Sequence, residues 1–258
     1  MRREFSAPYT VRYDEVDCFG LLKPAAFVRY MQDIAWRDAA DARLDGDGFW
    51  VVKRSVLRFN APVAANTVLD LYTYALGFTR VTAQRAYDAY TRGEPRREPL
   101  VSGRTLWVYL DARGRPGRLP ARTSDIWLPD GPVEQQPEVP LPTFPQAEPA
   151  HMHYTIQFSD LDIMKHYNNA SYVELLDNAG WDACAGMGIT PDTTELHACE
   201  YEIEYNESAR LGQQVDVHTW WDPSPPVTQE NIRYQRVTSD NHLLVQARSR
   251  WRKQAVEV

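Results

Sequence analysis

The sequence predicts an α+β fold in which one unit is used twice in tandem, and three observations predict it. First, Tyr9–Asp41 overlays Tyr154–Gly186 without a gap and gives seven identities: Tyr9/Tyr154, Thr10/Thr155, Asp17/Asp162, Ala25/Ala170, Val28/Val173, Trp36/Trp181 and Ala40/Ala185. Many remaining pairs are like for like, among them Val11/Ile156, Tyr13/Phe158, Val16/Leu161 and Phe27/Tyr172. Self-similarity of this length marks one structural unit repeated. Second, each copy reads as a short strand and a long helix, followed by four segments rich in Val, Thr, Tyr and Leu. Third, residues 116–149 between the copies hold nine of the chain's 18 prolines. Such density gives a stiff connector rather than a third core.

The elements follow in order. Residues 8–17 alternate Tyr9, Val11 and Tyr13 against Thr10, Arg12 and Asp14, which predicts a strand. After a break at Cys18-Phe19-Gly20, Pro24 suits a first helical turn. Phe27, Tyr30, Met31 and Ile34 then recur at i, i+3, i+4 and i+7, the buried stripe of a helix ending near Ala40. The Gly46-Asp47-Gly48 loop returns the chain to extended structure. Strands are expected over Trp50–Asn60, Thr67–Leu76, Thr79–Tyr90 and Leu100–Leu110. In the second half the strand is expected over Tyr154–Asp160 and the helix from Asn169 to about Ala185. Four strands near Leu196–Asn206, Gln213–Trp221, Val227–Thr238 and Leu243–Lys253 complete it. Phe59-Asn60 aligns with Tyr205-Asn206, and Trp107 with Trp251. Trp127 and Phe144 are expected to hold the connector against a surface. The domains are thus 1–115, a linker over 116–149, and 150–258.

A lone helix followed by a meander of strands can bury its apolar stripe only on that sheet. A five-stranded antiparallel sheet curled around one long helix is the hotdog fold, and two in one chain make a double hotdog. At 258 residues, 43% apolar and 12% aromatic, the chain has material for both cores. A net charge of −7 argues against general nucleic-acid binding. There is no apolar run of about 18 residues, so no membrane span is expected. The start, Met1-Arg2-Arg3-Glu4-Phe5, lacks the apolar stretch of a signal peptide. Cys18, Cys184 and Cys199 show no CxxC spacing. They read as reduced thiols of a cytoplasmic protein with no metal and no cofactor.

The motifs carry a resemblance. Tyr13-Asp14-Glu15-Val16-Asp17, Tyr30-Met31-Gln32 and Trp50-Val51-Val52-Lys53-Arg54 in the first half resemble the plant-type acyl-acyl-carrier-protein (acyl-ACP) thioesterases and their bacterial relatives. In the second half, so do Ser159-Asp160-Leu161-Asp162, His166-x-Asn168-Asn169 and Tyr172. The likeness covers most of residues 5–253. It implies a thioesterase of fatty acid biosynthesis that releases a fatty or polyketide-like acid from an acyl carrier protein, with the first half binding the acyl chain and the second catalytic. An acyl-CoA thioesterase of the same fold, and a catalytically weak acyl-binding accessory protein, stay open beside it. The family places Asp, Asn and His two residues apart, and here these are Asp162, Met164 and His166. A methionine neither orients a nucleophile nor polarises a carbonyl. The family strand Glu-Tyr-x-x-Glu-Cys reads Glu200-Tyr201-Glu202-Ile203-Glu204-Tyr205, so the acid is Glu204 and the cysteine is replaced by Tyr205.

Thioester hydrolysis needs a base for water and donors for the oxyanion, and a helix start supplies N–H groups and a positive dipole end. The expected assignment is Glu204 or Asp162 as base and His166 orienting, with Asn168, Asn169 and Tyr205 binding substrate. Plainer roles stand beside each: Asp162 as a turn or cap residue like Asp17, His166 as a structural hydrogen-bonding residue, the asparagines as caps, and Glu204 in a solvated row with Glu200 and Glu202. Residues 77–122 hold ten arginines and four acids. That excess would steer an acidic carrier protein, with Arg96 and Arg97 as contacts. A solvated basic face reads equally well. Either a monomer or a homodimer satisfies the tandem.

Overall fold

The computed structural model describes residues 2–44, 48–132 and 137–254. Most of the Gly46-Asp47-Gly48 loop lies outside the described residues. The chain divides into two compact units, Met1–Val139 and Pro140–Val258. The first contains β1 (Glu4–Thr10), α1 (Pro24–Asp41), β2 (Phe49–Phe59), β3 (Val68–Phe78), β4 (Thr82–Thr91), β5 (Val101–Leu110) and a short α2 (Thr123–Trp127). The second contains β6 (Ala150–Thr155), α3 (Asn169–Gly186), β7 (Glu195–Tyr205), β8 (Gln214–Asp222), β9 (Glu230–Ser239) and β10 (His242–Gln254). Among the described residues, no helix is long and apolar enough to cross a membrane.

Each unit builds an antiparallel sheet with the same strand order: β1-β3-β4-β5-β2 in the first, β6-β8-β9-β10-β7 in the second. The helices start and end at the same repeat positions and are both 18 residues long. Their starts are stabilised differently. Pro24 occupies the first turn of α1, where its missing N–H costs nothing. In α3 the Asn168 side chain caps instead, accepting from Ala170 N–H at 2.8 Å. Along α1 the predicted stripe Phe27, Tyr30, Met31 and Ile34 is buried. It packs in a core with Leu57, Leu69 and Leu71, and each such side chain contributes about 1.5–3 kcal/mol on burial. The two sheets keep the alignment seen in sequence: Asn60 N–H donates to Leu100 C=O and Asn206 N–H to Leu244 C=O.

The first strand of each half departs from expectation. Pairing of β1 with β3 ends at Thr10 opposite Val68, and a 3-10 turn follows at Tyr13–Glu15. β6 likewise ends at Thr155, before a turn at Phe158–Asp160. A carboxylate three residues on captures the backbone at each place. Arg12 N–H bonds Glu15 Oε2 and Gln157 N–H bonds Asp160 Oδ2, both at 2.8 Å. Apolar alternation continues past the last paired residue, so the pattern alone overran the strand. The proline-rich stretch also holds structure that periodicity did not reveal. Trp127 and Leu128 at the end of α2 are buried against Ala75, with Leu44 and Phe78 beside them. Phe144 packs edge-on to Trp220 in the second unit.

Candidate active site

The loop leading into α3 is closed by one carboxylate. Asp162 Oδ1 accepts the backbone N–H groups of Met164 (2.8 Å) and His166 (3.0 Å), while Asp162 N–H donates to His166 C=O at 2.8 Å. Lys165 sits inside the loop at φ +61°, a left-handed conformation that strains a residue bearing a Cβ. The first half repeats this loop: Asp17 Oδ1 accepts from Phe19 (2.9 Å) and Leu21 (3.0 Å), with Gly20 at φ +78°. The role common to both aspartates is therefore turn closure, which accounts for their place among the repeat identities. Met164 meets Asp162 through its backbone N–H.

The residues that follow are pinned in turn. Tyr167 N–H donates to Ala209 C=O (2.9 Å) and Asn168 N–H to Asp160 C=O (2.9 Å). Beneath the loop, Tyr167 packs edge-on to Tyr172 at 4.4 Å between ring centres, and Tyr172 lies 6.1 Å from Tyr205. Burial pushes the Tyr167 and Tyr172 hydroxyls far above the ordinary phenol range, so both stay neutral. Tyr205 O–H reaches the C=O of Asn169, the first residue of α3, at 3.4 Å. Tyr154, from β6, donates to Asp160 Oδ2 at 2.8 Å. Sequence reading named Tyr154, Tyr172 and Tyr205 separately but not their grouping.

Asp162, His166, Asn168, Asn169 and Tyr205 are thus gathered at the start of α3. His166, Asn168 and Asn169 are half-buried, and Tyr205 is buried. Glu204 is placed otherwise. On β7 the buried residues alternate as Tyr201, Ile203 and Tyr205, and Tyr201 and Tyr205 bond groups of α3. Glu204 projects from the opposite face with Glu200 and Glu202, half-buried, and accepts from Gln246 Nε2 at 2.6 Å. Among the described residues, no group of three or more His, Cys, Asp or Glu side chains could hold a metal.

Sequence reading also missed a buried ion pair in each unit. Arg233 on β9 is 1% exposed and bonds Asp177 of α3 at 2.8 Å. Tyr201 O–H contacts both, and the guanidinium lies 4.6 Å from the ring centre of Trp251. Burial pushes the Asp177 carboxyl above its usual range, against the pull of Arg233. Gly180 makes the space, because a Cβ there would come within 2.1 Å of Arg233 Nη1. Arg85 is the counterpart of Arg233 in the first unit. Arg85 stands opposite Thr105, as Arg233 stands opposite Ser249. Its partner, though, is Asp38, at 2.7 Å, which also accepts from Trp127 Nε1 at 2.6 Å. Asp38 aligns with Ala183 in the repeat and Asp177 with Gln32. The strand cation recurs while its acid moves along the helix.

Cys184 is buried near Arg233, and burial pushes its thiol up to about 11. At neutral pH almost no thiolate exists there. A maleimide is therefore expected to label exposed Cys18 in the native protein and to reach Cys184 only on unfolding. Mass mapping of labelled peptides checks this, and equal labelling of both would contradict the packing.

Residues 145–253 match the profile of the acyl-ACP thioesterase C-terminal domain. The second unit thus resembles the C-terminal domain of the acyl-ACP thioesterases. A chloroplastic acyl-ACP hydrolase, FATB2, from Cuphea viscosissima is 20% identical over 270 aligned positions, covering 96% of this chain. The chain spans 62% of that relative's length. Two solved acyl-ACP thioesterase structures share the fold. The 12:0-ACP thioesterase of Umbellularia californica has a TM-score of 0.79 at 16% identity, covering 97% of this chain and 94% of its own. The Bacteroides thetaiotaomicron acyl-ACP thioesterase has a TM-score of 0.74 at 14% identity, covering 96% and 97%. The fold is of the hotdog class seen in these thioesterases, α+β with antiparallel sheets and few helices. The family match falls on the unit that carries the Asp162–Asn169 loop.

Proposed function

We propose that the protein is a thioester hydrolase that releases a free acid from an acyl group carried on an acyl carrier protein. The two units act as a double hotdog, the first binding the acyl chain and the second carrying the chemistry. The observation that carries this reading is the family match over 145–253, on the unit where His166 and Asn168 stand at the start of a long helix. Asn168 N–H is bonded to Asp160 C=O and Ala170 N–H to the Asn168 side chain. Of the three amides at that start, Asn169 N–H is left to polarise the thioester carbonyl, helped by the positive end of α3. His166 orients the attacking water, and the second oxygen of Asp162 takes its proton, since Glu204 stands on the opposite face of β7. Asn168 and Tyr205 hold the helix start in place beneath the bound thioester.

A panel of acyl thioesters on intact carrier protein and on CoA, read by mass spectrometry for released acid, tests this. Release from the carrier-borne substrates is the expected result. Cleavage of acyl-CoA alone moves the activity to the CoA donors, and no release from either ends the hydrolase reading. A second reading, an acyl-binding protein with weak turnover, is favoured by Met164 at the family's asparagine position and by Asp162 doing the same turn closure as Asp17. Under it, Met164→Asn raises turnover by an order of magnitude or more, as expected when an oriented catalytic group is restored.

A further inference from the structure

Of the ten arginines in residues 77–122, four are engaged by acids in the folded unit. Arg85 pairs with Asp38, Arg92 with Asp70, Arg96 with Glu4 and Arg104 with Glu138. Arg96 also lies over the Tyr72 ring at 4.1 Å. Arg96, one of the two arginines expected from sequence to meet a partner, is therefore already neutralised at home. Arg97 is exposed and carries no ion pair among the described residues, and the other five uncompensated cations are elsewhere. Arg80, Arg113, Arg115, Arg118 and Arg122 are exposed and carry no ion pair among the described residues.

The fold brings these five to one end of the first unit's sheet. Leu119 N–H donates to Arg80 C=O at 3.0 Å, laying the segment after β5 along the β3–β4 turn. Arg113 and Arg115 sit in a turn closed by Asp111, whose Oδ1 accepts both of their N–H groups. Between the two segments runs an open groove of about 530 Å³, lined by Thr79, Arg80, Arg118, Leu119, Pro120 and Ser124 among others. The Thr79 and Thr123 hydroxyls are bonded to Thr82 and to Pro120 C=O, and Arg80 and Arg118 are the charged groups of the lining.

We infer that this groove, with Arg80 and Arg118 on its walls, is where the acidic face of the carrier protein docks. The inference rests on the carrier-protein reading above. A chain of net charge −7 repels an acidic partner at long range. Productive encounter then needs a local cationic surface, within a Debye length of about 8 Å at physiological salt. Five unpaired guanidinium groups beside a groove supply it, and Arg forks bind carboxylates in pairs. No aromatic side chain lines the groove, so it lacks the stacking platform of a single-strand nucleic-acid site.

The test compares Arg80→Glu/Arg118→Glu with Arg96→Glu/Arg97→Glu, which shift net charge equally. Each is assayed on acyl-carrier protein and on acyl-pantetheine, a neutral thioester. For Arg80→Glu/Arg118→Glu, KM for the carrier substrate should rise about tenfold or more, with acyl-pantetheine kinetics unchanged and the Arg96/Arg97 pair affected much less. Equal effects of the two pairs, an unchanged carrier KM, or a parallel loss on acyl-pantetheine overturns the docking site while leaving the hydrolase reading intact. An unchanged carrier KM with loss of a bound oligonucleotide assigns the groove to nucleic acid. If the wild type releases nothing from acyl-carrier protein, the carrier reading itself fails and this inference with it.

Discussion

Replacing Arg233 with methionine is expected to destabilise the second unit by about 3–5 kcal/mol, because it leaves a buried carboxylate without its cation. Asp177 and Tyr201 both lose a partner, and the ring of Trp251 loses the guanidinium it faces. The loss should shrink as pH falls. Burial already holds the Asp177 carboxyl above the ordinary 3.8, and without Arg233 it rises further. The folded state then binds that proton more tightly than the unfolded chain does. The penalty is full above the folded pKa and is relieved as the carboxyl protonates below it. The double variant Asp177→Leu/Arg233→Met should recover most of the stability, since apolar replacement of a whole buried pair is often neutral or better. Denaturant unfolding at pH 5 and pH 8, followed by tryptophan fluorescence, measures all three. A single-variant loss under about 1 kcal/mol, below the range for a broken buried pair, would show that the pair does not hold the core.

The second large effect concerns turnover. His166→Ala is expected to lower turnover of the carrier thioester about 10²–10⁴-fold, while Glu204→Ala, on the opposite face of β7, should leave it near the wild-type rate. Asp162→Ala should lose activity and stability together, because its Oδ1 closes the loop that positions His166. Asp17→Ala supplies the comparison, since it removes the same two backbone bonds in the first unit. If turn closure is the whole of the Asp162 role, both aspartate variants lose about 1–3 kcal/mol of stability. Asp162→Asn, which keeps an oxygen acceptor, should then retain most of the activity. Should Asp162 also act as base, Asp162→Asn loses turnover as heavily as alanine. A wild-type rate in His166→Ala would falsify the proposed site.

The positive patch shows how a linear count differs from a folded surface. Ten arginines against four acids is a correct sum for residues 77–122. Its acids are not the ones that matter, because Asp38, Asp70, Glu4 and Glu138 arrive from other elements and neutralise four of the cations. Arg97 stays uncompensated among the described residues, but five of the six unpaired arginines stand at the end of the sheet around Arg80.

By itself the sequence determined the two-unit repeat, the two helices with the α1 stripe, and the loop before α3. Repeat offset and helical period are properties of the chain, and local chemistry enforces them: Asx closure at Asp17 and Asp162, Pro24 at one helix start and Asn168 at the other. Tertiary structure decided where each carboxylate stands. Strand alternation put Tyr205 against the start of α3 and Glu204 on the other face. Sheet register put Arg233 and Arg85 at corresponding places, yet paired them with acids at non-equivalent helix positions. Those pairings join residues 56 and 47 apart in sequence. They exist because a buried cation must find an acid within hydrogen-bond reach, and only packing the helix on its sheet determines which acid that is.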